Sequence, residues 1–311
     1  MTRTIRIATR ASRLAVAQAD IVASLLKQLY PELKISLVKV STKGDRDRTD
    51  FLYKSESAGF FTREVEKAVL DGRADIAVHS LKDLPTAGTS GLVIAAVPQR
   101  ASAADALVCS NKAASITKLP AGAAIGTSSL RRIAQIRHIR SDLRCVPLRG
   151  NVETRVSKVI SGQIDAAIVA CAALERLGLT EKISAILQLD EFIPAPAQGA
   201  LAVQTREDDA ELAGLVSQID DRVSRITAET ERHLLAAIHG GCSIPLGVYS
   251  YIEGNDITID AMLADVEGKN YIRLAMTSVV ENAQTSAEQL AEELLSAGGR
   301  EILAKIRNSE I

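Results

Sequence analysis

The chain has 311 residues, 47% of them hydrophobic and 24% charged, with a net charge of -1 at pH 7, a balance that supports a sizeable core divided among two or three domains. Aromatic residues make up 3% and tryptophan is absent, so the stacking platforms of a single-strand nucleic-acid binder are missing, and no motif for reading duplex DNA is present. No apolar run reaches about eighteen residues and the opening MTRTIRIATR has no hydrophobic signal core, so neither membrane spanning nor export is expected, and the expected compartment is the cytoplasm.

Along the chain, short strand-like runs alternate with segments of helical period, the pattern of parallel sheets with crossover helices. TIRIAT leads into a helix from Ser12, with Leu14, Gln18, Ile21, Val22 and Leu25 on one face. KISLVKV, ADIAVHS and GLVIAAVP read as further strands, the second nearly apolar throughout, as a strand covered on both faces should be. A second unit begins near Ala103 and repeats the logic: AAIGTS, LRCVPLR and IDAAIVA each precede a helix. After EFIPAPAQGALAV the pattern changes. A long helix from about Asp221 to His239 precedes three alternating strands, LGVYSYI, DITIDAML and YIRLAMTSV, and a last helix from about Ser286. The expected division is residues 1–99 with 197–217 as a first α/β domain, 103–193 as a second, and 220–311 as a small α+β domain.

The ends of these strands, where open parallel sheets bind ligands, carry anion-binding groups. The first strand ends at Arg10 and Ser12; ADIAVHS runs into Ser80, Lys82 and Asp83; GTSSLRR supplies Thr127 and Ser129 at a helix start with Arg131 and Arg132 behind them; LRGNVETR supplies Arg149 and Arg155 around the cap Asn151. Cations in the first turn of a helix oppose its dipole, which calls for a compensating anion. Between Arg131 and Lys158 eight basic residues face only Asp142 and Glu153, so a multiply negative ligand is expected. Arg137, Arg140 and Arg144 have no strand-end context and read as a solvated face.

The four cysteines form no Cys-x-x-Cys pair and the histidines no metal spacing, so neither a disulfide nor a metal is expected. Cys109, Cys145 and Cys171 sit in apolar context and read as core. Cys242, in IHGGCSIPLG, sits on a glycine-flanked loop, where a thiol is a candidate for covalent attachment or nucleophilic chemistry. A non-catalytic carrier for a small polyanion would account for the arginines but not for this cysteine or for an aspartate among cations.

RIATRASRLAVAQA, RADIAVHSLKDLP, GTSSLRR, LRGNVETR and GGCSIPLG, in this order over nearly the whole chain, resemble the porphobilinogen deaminase family. The resemblance implies two domains like those of periplasmic binding proteins with crossing connections, plus a small α+β C-terminal domain bearing the cysteine. It further implies a dipyrromethane cofactor joined to Cys242 through a thioether, and a monomeric enzyme that adds four porphobilinogen molecules, with loss of ammonia, to give hydroxymethylbilane for haem and other tetrapyrroles. By the family pattern Lys82, Ser80, Thr127, Ser129, Arg131, Arg132 and Arg155 hold carboxylates of the cofactor and of the growing linear polypyrrole. Arg10, Ser12, Arg149 and Arg176 hold the incoming ring, and Asp83 stabilises positive charge on pyrrole nitrogen. Two positions depart from the family: Ala58 stands in place of a lysine, and Ala197 in place of a glycine.

Overall fold

The computed structural model describes residues 4–42, 62–110, 115–238 and 244–308. The described residues divide into two compact units, one holding residues 4–42, 62–101 and Gly199–Ile226, the other the described residues of Ser102–Gln198 and those from Thr227 onward. In the first, β1 (Thr4–Arg10), α1 (Arg13–Leu29), β2 (Lys34–Val40), α2 (Arg63–Leu70), β3 (Ile76–Ser80) and β4 (Leu92–Ala96) follow in sequence. The second continues with β5 (Asp105–Cys109), β6 (Ala124–Gly126), α3 (Leu130–Ile139), β7 (Arg144–Val146), α4 (Val152–Ile160), β8 (Ala166–Ala170), α5 (Cys171–Arg176) and β9 (Ala185–Ile186). The chain then returns to the first unit through β10 (Leu201–Arg206) and α6 (Ala210–Val216).

The two sheets share one plan. Their strand orders are β2-β1-β3-β10-β4 and β7-β6-β8-β5-β9, with β10 and β5 in equivalent places. Each sheet is mixed where the sequence pattern suggested parallel: β10 runs antiparallel to β3 and β4, and β5 antiparallel to β8 and β9. A short apolar strand buried on both faces carries no mark of direction, so periodicity could not tell the two apart. An aspartate just before the central strand of each sheet, β3 or β8, closes onto the neighbouring strand, β1 or β6: Arg6 N donates to Asp75 Oδ2 at 2.8 Å, and Ala124 N to Asp165 Oδ2 at 2.7 Å. No sequence repeat announces this duplication. The resulting topology, with a strand crossing back between units, is the periplasmic-binding-protein-like architecture that the resemblance implies.

One face of the first sheet packs Ile5, Ile7 and Val78 against Val22 and Leu26 of α1; the other covers Ala8 and Ala77 with Val65 and Val69 of α2. The buried face of α1 is Ala15, Gln18, Ala19, Val22 and Leu26, while Ile21 is exposed; small alanines take the positions that meet the sheet. In the second unit Leu107, Ile125, Ile136, Ile168 and Phe192 form the core. There too α7 (Arg222–Ala237), with its later residues, β11 (Leu246–Glu253), β12 (Asp256–Ala264), β13 (Tyr271–Val279), α8 (Ala283–Leu294) and α9 (Arg300–Asn308) build a three-stranded antiparallel layer backed by helices. Leu234, Val248, Ile259, Leu263 and Leu290 fill it. The final helical segment starts at Ala283 rather than Ser286 and turns at Gly298, where φ is 113°. Ala197 adopts φ 59°, in the left-handed region where glycine is the economical residue.

Candidate functional site

In the first unit a cavity of about 60 Å³ is lined by Arg10, Ser12, Gln18, Thr62, His79, Ser80 and Asp83, among others. Four of the residues singled out from sequence therefore meet there. Arg10 ends β1, and the turn after it is held by Thr9 Oγ1, which donates to Ala15 O at 2.9 Å. Ser12 caps α1, its hydroxyl accepting from Ala15 N at 3.3 Å. Ser80 ends β3 and accepts from Gln18 Nε2 at 2.8 Å. Lys82 and Asp83 lie on the single 3-10 turn Leu81–Asp83, both half-buried; that turn is tied down where Leu81 N donates to Ala200 O at 3.0 Å. His79 and Gln18 line the same cavity, and sequence reasoning gave neither a binding role. Burial pushes the His79 imidazole down to about 4, with a Gln204 hydrogen bond opposing and the Arg10 charge adding to the effect.

In the second unit the strand-end groups surround the N-terminus of α3. Thr127 is buried, and its hydroxyl accepts from Ser129 N at 3.2 Å. Ser129 is the N-cap and makes no capping bond with its side chain. A Cβ on Gly126 would stand 2.6 Å from Ile164 Cδ1 and 2.7 Å from Leu148 Cδ2, so a side chain there would push both neighbours aside. Arg131 and Arg132 are not on the surface: both are buried, and their Nη2 atoms bind Asp105 at 2.7 and 2.6 Å. The anion that the helix-dipole argument requires is thus supplied at least in part by the protein. Burial acts to raise the Asp105 carboxyl, but the two guanidiniums outweigh it and hold the group far below the ordinary carboxylate range.

The Nε atoms of Arg131 and Arg132 are buried and find no partner among the described residues. Arg155, half-buried, donates from Nε to Gly150 O at 2.9 Å. Burial, then the charges of Arg132 and Arg149, bring Arg155 down to about 10. Arg176 ends α5, half-buried, and burial lowers it to about 10 against the pull of Glu175. Asn151 caps α4 through Thr154 N at 2.8 Å.

Arg144 is exposed and Arg137 and Arg140 are half-buried, so the three lie at the surface as expected, each tied to neighbouring groups. Arg137 donates to Val266 O and Glu267, Arg140 to Asp142, Thr117 O and Leu119 O, and Arg144 to Gly122 O. Cys109 and Cys171 are buried, as expected of core, and Cys145 is half-buried. Cys242 and Ala58 lie outside the described residues, as does the expected end of the long helix at His239. Asp105 and Gln198 were missed from sequence, although a charge in the apolar run DALVC is itself a signal, since such a group is buried only with partners.

Each unit thus gathers hydroxyls and guanidiniums at its strand ends, with Asp83 among them in the first and Asp105 in the second, the donor set of an α/β protein suited to an anionic ligand. Residues 5–214 match the model described as "Porphobilinogen deaminase, dipyromethane cofactor binding domain", and residues 225–296 the C-terminal domain of the same family. The porphobilinogen deaminase of Maridesulfovibrio salexigens is 42% identical over 304 residues, 98% of each chain. That of Pelotomaculum thermopropionicum is 41% identical over 310 residues, 100% of this chain and 99% of the relative. Among solved structures, the methionine-binding protein MetQ aligns over 80% of this chain and 99% of its own, with 16% identity and a TM-score of 0.42. The chain belongs to the porphobilinogen deaminase family, the transferases of tetrapyrrole biosynthesis that work with a dipyrromethane cofactor. Among the described residues no helix is long and apolar enough to cross a membrane.

Proposed function

We propose that the residues assembled in the two units divide the family's reaction, the condensation of four porphobilinogen molecules into hydroxymethylbilane, into holding, placing and proton transfer. The observation that carries this reading is the cavity where Arg10, Ser12, Ser80 and Asp83 meet. Arg10 and Ser12 hold a carboxylate of the incoming ring, and by the family pattern Arg149 and Arg176 are substrate-binding cations. Asp83 faces the pyrrole N–H groups; its charge stabilises the positive charge that develops on ring nitrogen as ammonia leaves, and it accepts protons afterwards.

The dipyrromethane suits the donor set of the second unit. Two buried guanidinium Nε atoms lack partners among the described residues, and Arg132, Arg149 and Arg155 stand close enough for like charge to depress Arg155; both features call for carboxylates. When bound, the group supplies the free pyrrole carbon to which new rings are joined. Arg131, Arg132 and Arg155, with Thr127 and Ser129, hold its acetate and propionate groups, and Lys82 and Ser80 are carboxylate holders by the family pattern. Cys242 anchors it covalently. Attachment keeps the primer in place when the longer chain is hydrolysed off, which ion pairs alone would not ensure. The reading also includes three domains, residues 1–99 with 197–217, 103–193 and 220–311, and a cytoplasmic monomer.

Intact-mass measurement tests the anchor. Wild-type protein should exceed its sequence mass by two porphobilinogen units less two ammonia, on the peptide containing Cys242. Cys242→Ser should lack that mass and nearly all activity, while Cys109→Ser, Cys145→Ser and Cys171→Ser keep both. An adduct that survives in Cys242→Ser defeats the assignment.

A further inference from the structure

We propose that Asp105 is the positioning residue of the Arg131–Arg132 pair: it fixes where the two guanidiniums point rather than merely balancing their charge. This rests on the reading of those arginines as carboxylate holders. Asp105 opens β5 with 0% of its surface exposed. Its Oδ2 accepts from Arg131 Nη2 at 2.7 Å and its Oδ1 from Arg132 Nη2 at 2.6 Å. Gln198 Nε2 donates to the same Oδ1 at 3.0 Å and to Ala103 O at 2.8 Å, so the carboxylate is itself held from a second side. The opposite corner of each guanidinium is pinned as well: Arg131 Nη1 donates to Ile193 O at 2.6 Å, and Arg132 Nη1 to Ile168 O at 2.9 Å.

Both terminal nitrogens of each arginine are thus used internally, and neither planar group can turn without breaking two charge-assisted bonds. The triad as a whole carries one positive charge, not two. A site of this kind does not rely on charge density. It relies on preorganised donors, whose orienting cost is met when the chain folds rather than when the ligand arrives. Gln198 reaches Asp105 because the chain turns at Ala197 in the left-handed region, a conformation held by Ala197 N donating to buried Glu231 Oε2 at 2.6 Å.

Charge and positioning predict opposite signs. If the arginines act through net charge alone, Asp105→Asn adds one positive charge and should speed capture of a polyanion. If Asp105 positions them, the same substitution should slow it. Apo-protein produced in cells that make no porphobilinogen is mixed with porphobilinogen, and growth of the covalent adduct is followed by intact-mass spectrometry alongside thermal unfolding. Asp105→Asn is expected to load at least tenfold more slowly than wild type. Gln198→Met, which changes no charge, is expected to load several-fold more slowly. Ile125→Val, a buried change in the same unit's core, should load like wild type even where it unfolds earlier.

Loading of Asp105→Asn at the wild-type rate or faster overturns the proposal. Should that variant not fold, Gln198→Met decides, and its loading at the wild-type rate overturns the proposal equally. Arg131→Leu in the same assay separates the two levels: if it loads normally, the reading of the arginines as cofactor ligands fails, whereas slow loading there with normal Gln198→Met and Asp105→Asn sinks only the role of Asp105.

Discussion

Asp83 and His79 stand four residues apart on one strand and the turn that follows it, and their environments assign them opposite tasks. Asp83 is half-buried beside a cavity that also receives Arg10. Asp83→Asn keeps the shape and removes the charge, so kcat should fall by about 10²–10³, or roughly 3–4 kcal/mol, with the unfolding midpoint little changed. Steady-state turnover near the wild-type value would exclude the role. His79 is 5% exposed and held neutral by burial. Its folded pKa of about 4 lies below the ordinary value of about 6.5, so between these the unfolded chain binds more protons and stability rises with pH. Acidifying from pH 6.5 to 4 should therefore cost roughly 3 kcal/mol through this residue, at about 1.4 kcal/mol per unit. Urea unfolding across that range should show a flatter pH dependence in His79→Gln than in wild type.

At the scale of elements, the docking of the β12–β13 turn on α3 depends on one glycine. Gly268 has φ 70°, and a Cβ would stand 2.6 Å from His138 N and 2.7 Å from Ala134 O. His138 stacks on Tyr271 with ring centroids 4.0 Å apart, and Arg137 binds Val266 O at 3.0 Å. The helix that carries Arg131 and Arg132 at its start is thus clamped at its end by the C-terminal sheet. Backbone cannot yield as a flexible side chain would, and the left-handed φ adds about 1 kcal/mol for a residue with a Cβ. Gly268→Ala should destabilise by more than about 2 kcal/mol, read as a fall in the urea midpoint. An unchanged midpoint would show that the turn is free to move away from α3.

For the whole molecule the consequence is a linkage between ligand and stability. Burial first, and then repulsion from Arg132 and Arg149, brings Arg155 down to about 10. A polycarboxylate that binds only the native state relieves this repulsion and raises apparent stability. Scanning calorimetry of wild-type protein carrying its primer against Cys242→Ser should show the loaded form unfolding several degrees higher. The gap should narrow in high salt as the more exposed contacts are screened; equal midpoints would mean that the cluster is not where the ligand's charge resides.

Local order was legible in the linear chain because it depends on neighbours. The apolar runs of β3 and β8, the caps Ser12 and Asn151, and the family's ordered motifs are short-range or literal features, and they picked out Arg10, Ser12, Ser80, Lys82, Asp83 and the two arginine clusters from the chain alone. The three-dimensional structure decided what depends on residues far apart. Asp105 meets Arg131 and Arg132 across 26 and 27 positions, so the arginines that read as open cations are partly neutralised inside the protein. Strand direction, the shared plan of the two sheets, the left-handed turn at Ala197 and the neutral His79 were equally hidden, because periodicity records which faces are apolar and not which distant group supplies the partner. Burial makes a polar contact count, and burial exists only once the chain has folded.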